Sequence, residues 1–354
     1  MKSIARQYLD SLMLTPDQAT ALHALGEYRG KQALFSQQTP QILENLRVLA
    51  MIESGESSNR LEGITAPRKR IQALMQQDAA PRNRSEQEIA GYRDALDHIH
   101  NNHSKLDFSI NTILNCHAMM YKFVSTPSGR WKTRDNVILE RYADGSERIL
   151  FRPTAADETA GAMEKLVVRY NMAVYQDRVE PLIVVPLTIL DFLCIHPFGD
   201  GNGRCSRLLT LLLLYHHGYK VGRYISLDRV FEGSKRSYYD TLEASSQQWN
   251  EEKHNVFPWM TYFWGVVLAA YKEFEARVGA IQTAHGAKAD QVRYVVDRFV
   301  GPFNISDIEV KCPEVSHDWV RMVLRQMRDE GLIEIQGKGR GPKLHKVKQQ
   351  ERRA

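Results

Sequence analysis

Two apolar runs, Leu182 to Ile195 and Arg204 to His217, stand on either side of a polar, glycine-rich stretch, His196-Pro197-Phe198-Gly199-Asp200-Gly201-Asn202-Gly203. No other feature restricts the fold as much. Both runs read at helical spacing and are apolar around most of their circumference, so both helices must be buried, with the polar stretch as the corner between them. A buried helical pair needs further helices to cover it. Helical patterns supply these at Thr15 to about Ile99, with Thr39-Pro40 as a cap and first-turn proline, and again at Ile110 to Phe123, Ala155 to Tyr175 and Trp259 to Val278. One β element interrupts them. Asn136 to Leu139 and Arg148 to Phe151, on either side of Tyr142-Ala143-Asp144-Gly145-Ser146, predict a hairpin turning at Asp-Gly.

A second unit is expected beyond Gly279 to Ala289, a small, polar stretch that reads as a linker. Val292, Val295, Val296 and Phe299, then Ser306 to Cys312, then Ser316 to Glu330 predict three helices, the last ended by Gly331. Leu332 to Ile335 and Lys343 to Val347 predict strands around Gly-Lys-Gly-Arg-Gly-Pro. That order, helix-helix-helix-hairpin, is the order of a winged helix. The expected fold class is therefore mainly α: a helical core with a small β-hairpin, then a winged helix-turn-helix unit. The expected divisions are an N-terminal helical region at 1–99, a core at 100–278, a linker at 279–289 and the C-terminal unit at 290–354.

Composition excludes several classes. At 354 residues, with 43% hydrophobic and 25% charged, the chain has ample material for a buried core. Pro186 and Asp191 interrupt the apolar run before it reaches the roughly 20 residues of a membrane span, so no membrane partner is expected. The N-terminus, MKSIARQYLDSLML, carries Asp10 in its apolar part and has no A-x-A-like cleavage site, which predicts a mature cytoplasmic protein. Cys116, Cys194, Cys205 and Cys312 have no metal-type spacing and read as free thiols. Net charge is +5, from 47 Lys and Arg against 42 Asp and Glu, and Gln336 to Ala354 alone holds seven Lys or Arg and one Glu. Any nucleic-acid affinity belongs to that end, where Arg321, Arg325 and Arg328 also share a helix face.

The corner has the ingredients of a phosphate site. Gly201 and Gly203 free the backbone to approach a ligand, and the helix beginning near Asn202 points unpaired N–H groups and its positive end at the same place. Arg204 and Arg207 add guanidinium forks suited to phosphate oxygens. Asp200 is a hard oxygen ligand for Mg²⁺ shared with those phosphates, and His196 is a base that works near neutral pH. Five polar functional groups and three glycines in twelve residues of an apolar region have no economical packing explanation.

HPFGDGNGRCSR resembles the signature H-P-F-x-[DE]-G-N-G-R-x-x-R of Fic proteins at every specified position. The resemblance implies AMPylation: transfer of AMP from ATP to a Ser, Thr or Tyr hydroxyl of a target protein, with release of pyrophosphate. It implies His196 as general base and Asp200 as Mg²⁺ ligand between the α- and β-phosphates. Gly201, Asn202 and Gly203 would cradle phosphates, Arg204 would contact the phosphate chain, and Arg207 would hold the γ-phosphate. Doc-type relatives, which phosphorylate, carry Lys where this chain has Gly203. Upstream, Ser58 to Gly63 is similar to the inhibitory pattern [ST]-x-x-x-E-[GN], which implies that Glu62 pairs with Arg207 and that the enzyme is auto-inhibited. The hairpin Asn136 to Phe151 sits where the family has its target-binding flap. Tyr238, Tyr239 and Asn250 fall in the region of the adenine pocket, Tyr239 being the residue chosen for nucleotide contact.

The implied partners are a protein target and the chain itself, by auto-AMPylation, with DNA at the C-terminal unit and a homo-oligomer left open. Three alternatives stand beside the transferase: a DNA-binding regulator that senses nucleotide, a bifunctional enzyme that also removes AMP, and transfer of a different phosphate-containing group, since the signature fixes the anion site better than the rest of the ligand.

Overall fold

The computed structural model describes residues 3–38, 40–141, 144–297, 299, 301–313, 315–336 and 343–346. Helices α1 (Arg6–Asp10), α2 (Pro16–Gln38), α3 (Pro40–Leu61), α4 (Arg68–Met75), α5 (Arg84–Asn102) and α6 (Ile110–Met120) come first. Strands β1 (Ile138–Arg141) and β2 (Glu147–Phe151) follow, then α7 (Thr159–Asn171), α8 (Pro181–Ile195), α9 (Asn202–His216), α10 (Leu227–Gly233), α11 (Lys235–Ser246) and α12 (Phe257–Asp297). The described chain ends with α13 (Ile305–Lys311), α14 (His317–Asp329), β3 (Ile333–Gln336) and β4 (Lys343–Lys346). It is a mainly α fold with two small antiparallel strand pairs, β1 with β2 and β3 with β4. Contacts divide it into two compact units, Met1–Glu275 and Ala276–Ala354.

In the first unit the two apolar runs are the core, as their composition demands. Val184, Val185, Leu187, Leu190 and Ile195 of α8 and Leu208 to Leu214 of α9 are buried, and the two helices pack on each other. Both interruptions of α8 are accommodated by specific partners. Pro186 cannot donate to the carbonyl four residues back, and the Trp264 indole supplies the missing hydrogen bond to Leu182 O at 2.7 Å. Asp191, fully buried, accepts from Trp249 Nε1 at 2.7 Å and from the Ser3 backbone N–H at 3.2 Å, so its burial is compensated and the N-terminal segment is tied to the core. The hairpin pairs Leu139 with Ile149, and Arg148 Nη2 ties it to Glu243 of α11 at 2.5 Å.

The second unit has its own core, in which Val292, Val296, Phe303, Ile308, Val320, Val323, Leu324 and Met327 are buried together. An Asn304–Asp307 capping box starts α13. The three helical stretches and the hairpin occur in the expected order.

Some expectations differ from the structure. Residues 279–289 are helical, within α12, and not a loop; Ala280, Gln282, Ala284, Ala287, Lys288 and Ala289 are helix formers that outweigh two glycines. The border at 99 falls inside α5. Helices α10 and α11 add to the helical patterns that periodicity predicts. Thr39, Tyr142, Ala143, the Gly-Lys-Gly-Arg-Gly-Pro loop and residues 347–354 lie outside the described residues. All four cysteines are buried thiols outside any disulfide, and no described helix is long and apolar enough to cross a membrane.

Candidate active site

Helix α8 ends at His196, whose φ of 51° turns the chain out of the helix, and α9 starts after Gly201, whose φ of 79° is a left-handed conformation that glycine adopts without strain. Between them the corner is laced to itself. Asn202 Oδ1 accepts from Phe198 N at 2.9 Å, and Asn202 Nδ2 donates to Phe198 O at 2.8 Å. Asp200 Oδ1 accepts from Gly201 N at 2.7 Å. Residues ahead of the hairpin brace the outside: Lys132 Nζ donates to Ile195 O at 3.1 Å, and Asn136 Nδ2 donates to Phe198 O at 3.2 Å. Burial pulls the Lys132 ammonium down to about 8.

His117 of α6 completes the brace. Its ring stacks on Phe198 at 3.8 Å between centroids and 8° between planes. Gly129 N donates to its Nδ1 at 3.0 Å, so the remaining ring proton is on Nε2, which donates to Asp200 O at 3.1 Å. This arrangement needs a neutral ring. Burial keeps it so, pulling the His117 pKa down to about 4.

His196 has the tautomer a base requires. Nδ1 lies 3.2 Å from Leu193 O, which can only accept, so Nδ1 carries the proton and Nε2 keeps a lone pair. Burial pulls this histidine down to about 4, against the pull of the Leu193 carbonyl. It is therefore neutral at pH 7.

The two arginines of α9 have different surroundings. Arg204 is buried, with Nη2 2.8 Å from Glu88 and 2.7 Å from Tyr121 Oη, and Nη1 3.3 Å from Asn59 Oδ1. Arg207, also buried, donates from Nε to Ser58 Oγ at 2.9 Å and from Nη2 to Ser58 O at 2.9 Å and Glu62 Oε1 at 2.8 Å. A second carboxylate, Asp228 of α10, lies 3.2 Å from Nε and accepts from Tyr92 Oη at 3.2 Å. The carboxylates differ in access, the Glu62 side chain being 31% exposed and Asp228 2%. Arg207 Nη1 is buried with no hydrogen-bond partner among the described residues.

Glu62 occupies the place the sequence assigned to an anion. It follows the last turn of α3, where the negative helix end disfavours a carboxylate, and it is held there by Arg207 beside the positive end of α9. A Cβ built on Gly203 would collide with Glu62 Oε1 and come within 3.3 Å of Arg207 Nη1. Gly203 thus leaves room for whichever anion is present.

A cavity of about 400 Å³ gathers these groups. Glu62, His196 and Gly203 share its walls with Ile138, Leu150 and Phe151 of the hairpin and with Tyr238 and Tyr239 of α11. Tyr239 Oη donates to Leu61 O at 3.3 Å, linking α11 to the helix that precedes Glu62. Asp200 is not in that wall. With Gly199 it faces a second cavity of about 370 Å³ that includes His117, Tyr121 and Lys132. Its exposed single carboxylate suits Mg²⁺ held mainly by substrate phosphates and water; among the described residues no three His, Cys, Asp or Glu form a metal cage.

The structure thus brings His196, Gly203, Glu62, Arg207, Ser58 and Tyr239 together. The side chains of Asn202 and Arg204, expected on phosphate, are spent elsewhere: Asn202 closes the corner, and Arg204 neutralises Glu88. Asn250 donates to Arg152 O at 3.2 Å and does not line the cavity. Sequence reading missed His117, Lys132, Asn136, Glu88 and Asp228. Only the polar run Lys132 to Asn136 before an apolar hairpin hinted at any of them.

Residues 107–214 match the model of the Fic/DOC family. A Fido domain-containing protein of Dictyostelium discoideum is 34% identical over 94 residues, 27% of this chain and 64% of that protein, so the chain spans just under two thirds of that relative. Among solved structures, a Fic family protein from Desulfovibrio desulfuricans superposes with a TM-score of 0.62 at 19% identity, covering 96% of this chain and 99% of that one. A Fic domain containing signaling protein from Bacteroides thetaiotaomicron gives 0.61 at 20% identity, over 73% of this chain and 97% of that one. At such identities these two likenesses speak for the fold alone. Residues 107–214, which hold α8, the corner and the arginine-bearing turn of α9, are thus the part of the chain that is similar to the Fic/DOC family.

Proposed function

We propose that the protein is a nucleotidyltransferase that moves AMP from ATP to a Ser, Thr or Tyr hydroxyl of a protein, itself included, and that Glu62 holds it idle. The observation that carries this reading is the shared cavity, in which a neutral His196, Gly203 and Glu62 meet, with Glu62 paired to Arg207 and set against Gly203. The hydroxyl oxygen attacks the α-phosphorus, the bond from that phosphorus to the bridging oxygen breaks, and pyrophosphate leaves. The hydroxyl proton passes to His196 Nε2. Bound phosphates raise the basicity of His196 by their negative charge. Backbone N–H groups of the first turn of α9, not the Asn202 and Arg204 side chains, receive the phosphates, with Arg207 at the far end of the chain. Asp200 would hold Mg²⁺, which when bound neutralises charge on the phosphate chain.

Tyr238 and Tyr239 offer aromatic surface to the base, and the exposed Val137, Leu139 and Ile149 of the hairpin offer an edge to an extended target segment. Glu62 opposes all this by occupying the donors of Arg207 that a γ-phosphate needs. The test is label transfer from α-labelled and from γ-labelled ATP, with Mg²⁺, to Glu62→Gly and to Glu62→Gly/His196→Ala. Label from the α position only, lost in the double variant, is expected. Transfer of the γ label, or transfer that survives loss of His196, would refute AMP transfer by this base.

A further inference from the structure

The second unit carries a surface that the transferase reading does not use. Its sequence holds fifteen Lys and Arg against ten Asp and Glu, a net +5, which is the whole net charge of the chain. Within it, α14 is divided sharply. Val320, Val323, Leu324 and Met327 are buried in the unit's core, and Arg321, Arg325 and Arg328, at spacings of four and three, are exposed along another face. Arg321 and Arg325 make no ion pair among the described residues, and Arg328 meets only its neighbour Asp329, at 3.4 Å. Three cations along about 10 Å of one helix, with Asp318 as the one acid that lines the adjoining groove among the described residues, repel one another. Such a stripe is stable beside a polyanion.

The stripe borders a groove of about 630 Å³ lined by Arg321, Met322, Arg325 and Arg328, with Ile305 at the start of α13 and Asp318 as its single acid. A helix of 10–12 Å diameter matches the roughly 12 Å major groove of B-form DNA and is excluded from the deep, narrow major groove of duplex RNA. We propose that the second unit binds duplex DNA, with α14 in the major groove and Arg321, Arg325 and Arg328 on phosphates or base edges. This inference stands whether or not the first unit transfers AMP.

The test is fluorescence anisotropy of a labelled 30-base-pair duplex with the full chain over a salt series. Wild type binds with an affinity that falls as salt rises. Arg321→Ala/Arg325→Ala/Arg328→Ala binds at least about thirtyfold more weakly, its salt slope smaller by roughly three. The corresponding triple Lys variant keeps most of the slope. The substituted side chains are exposed, so the melting temperature stays near that of wild type. No anisotropy change at 10 µM protein in low salt would overturn the proposal. So would an unchanged affinity in the triple Ala variant, which would place binding on other charges. Competition by polyglutamate would also overturn it, by showing that the duplex is displaced by an acidic polypeptide, and equal competition by duplex RNA would remove the role of the groove.

Discussion

Arg204 and Arg207 sit on the same turn of α9, are equally buried and carry the same charge, yet their partners differ in one respect. Every partner of Arg204, namely Glu88, Asn59 and Tyr121, is buried, whereas Arg207 has one buried carboxylate, Asp228, and one that is 31% exposed, Glu62. A buried charge must be compensated at all times, so an arginine with a single carboxylate cannot release it. Arg207 can release Glu62 because Asp228 remains. The difference separates an arginine that holds the fold from one that can exchange ligands, and both are specified residues of one short motif.

Removing a fixed partner should have the largest effect. Glu88→Ala strands the Arg204 charge and should lower stability by about 3–5 kcal/mol, read by thermal or urea unfolding. Acid comes next. His117 and His196 are held neutral with pKa values of about 4, below the 6.5 of an unperturbed histidine, so the unfolded chain binds more protons than the folded one between those values. Stability is then full above pH 6.5 and falls as pH drops toward 4, by about 2 kcal/mol for His117 alone at pH 5. The melting temperature against pH checks this.

Asp228→Asn should cost about 1–3 kcal/mol, since Glu62 still faces Arg207. Combined with Glu62→Gly it leaves Arg207 with no carboxylate, and the double variant should lose at least 1 kcal/mol more than the single losses predict, roughly the coupling of neighbours sharing one partner. Additive losses would break the distinction between fixed and exchangeable partners. The smallest effect on stability is that of Glu62→Gly alone, less than about 1 kcal/mol, because its partly exposed carboxylate is replaced by water.

The fold was legible wherever the apolar pattern was strong: nearly all round in the α8–α9 pair, along one face of α14, and in two short runs around Asp-Gly in the hairpin. Residues 279–289 continue α12, because the alanines around Gly279 and Gly286 favour the helix that the two glycines alone would interrupt. The site was half legible. His196, Gly203, Glu62 and Arg207 lie in short local motifs, but Asp228 and Glu88 are single acids on helices far from the motif in sequence. Nothing local distinguishes them from solvated residues. Asn202 and Arg204 show the converse: their motif positions suggested phosphate contact, and only three-dimensional packing reveals that their side chains satisfy protein groups.

The most direct measurement compares initial rates of AMP incorporation in wild type, Glu62→Gly and Glu62→Gly/Arg207→Ala under one ATP and Mg²⁺ concentration. If Glu62 is the exchangeable partner of Arg207, its removal frees a charge-assisted contact worth about 1.5–3 kcal/mol, so Glu62→Gly should run at least tenfold faster than wild type. The double variant should fall back to the wild-type rate or below. Equal rates in wild type and Glu62→Gly, or a fast double variant, would contradict it.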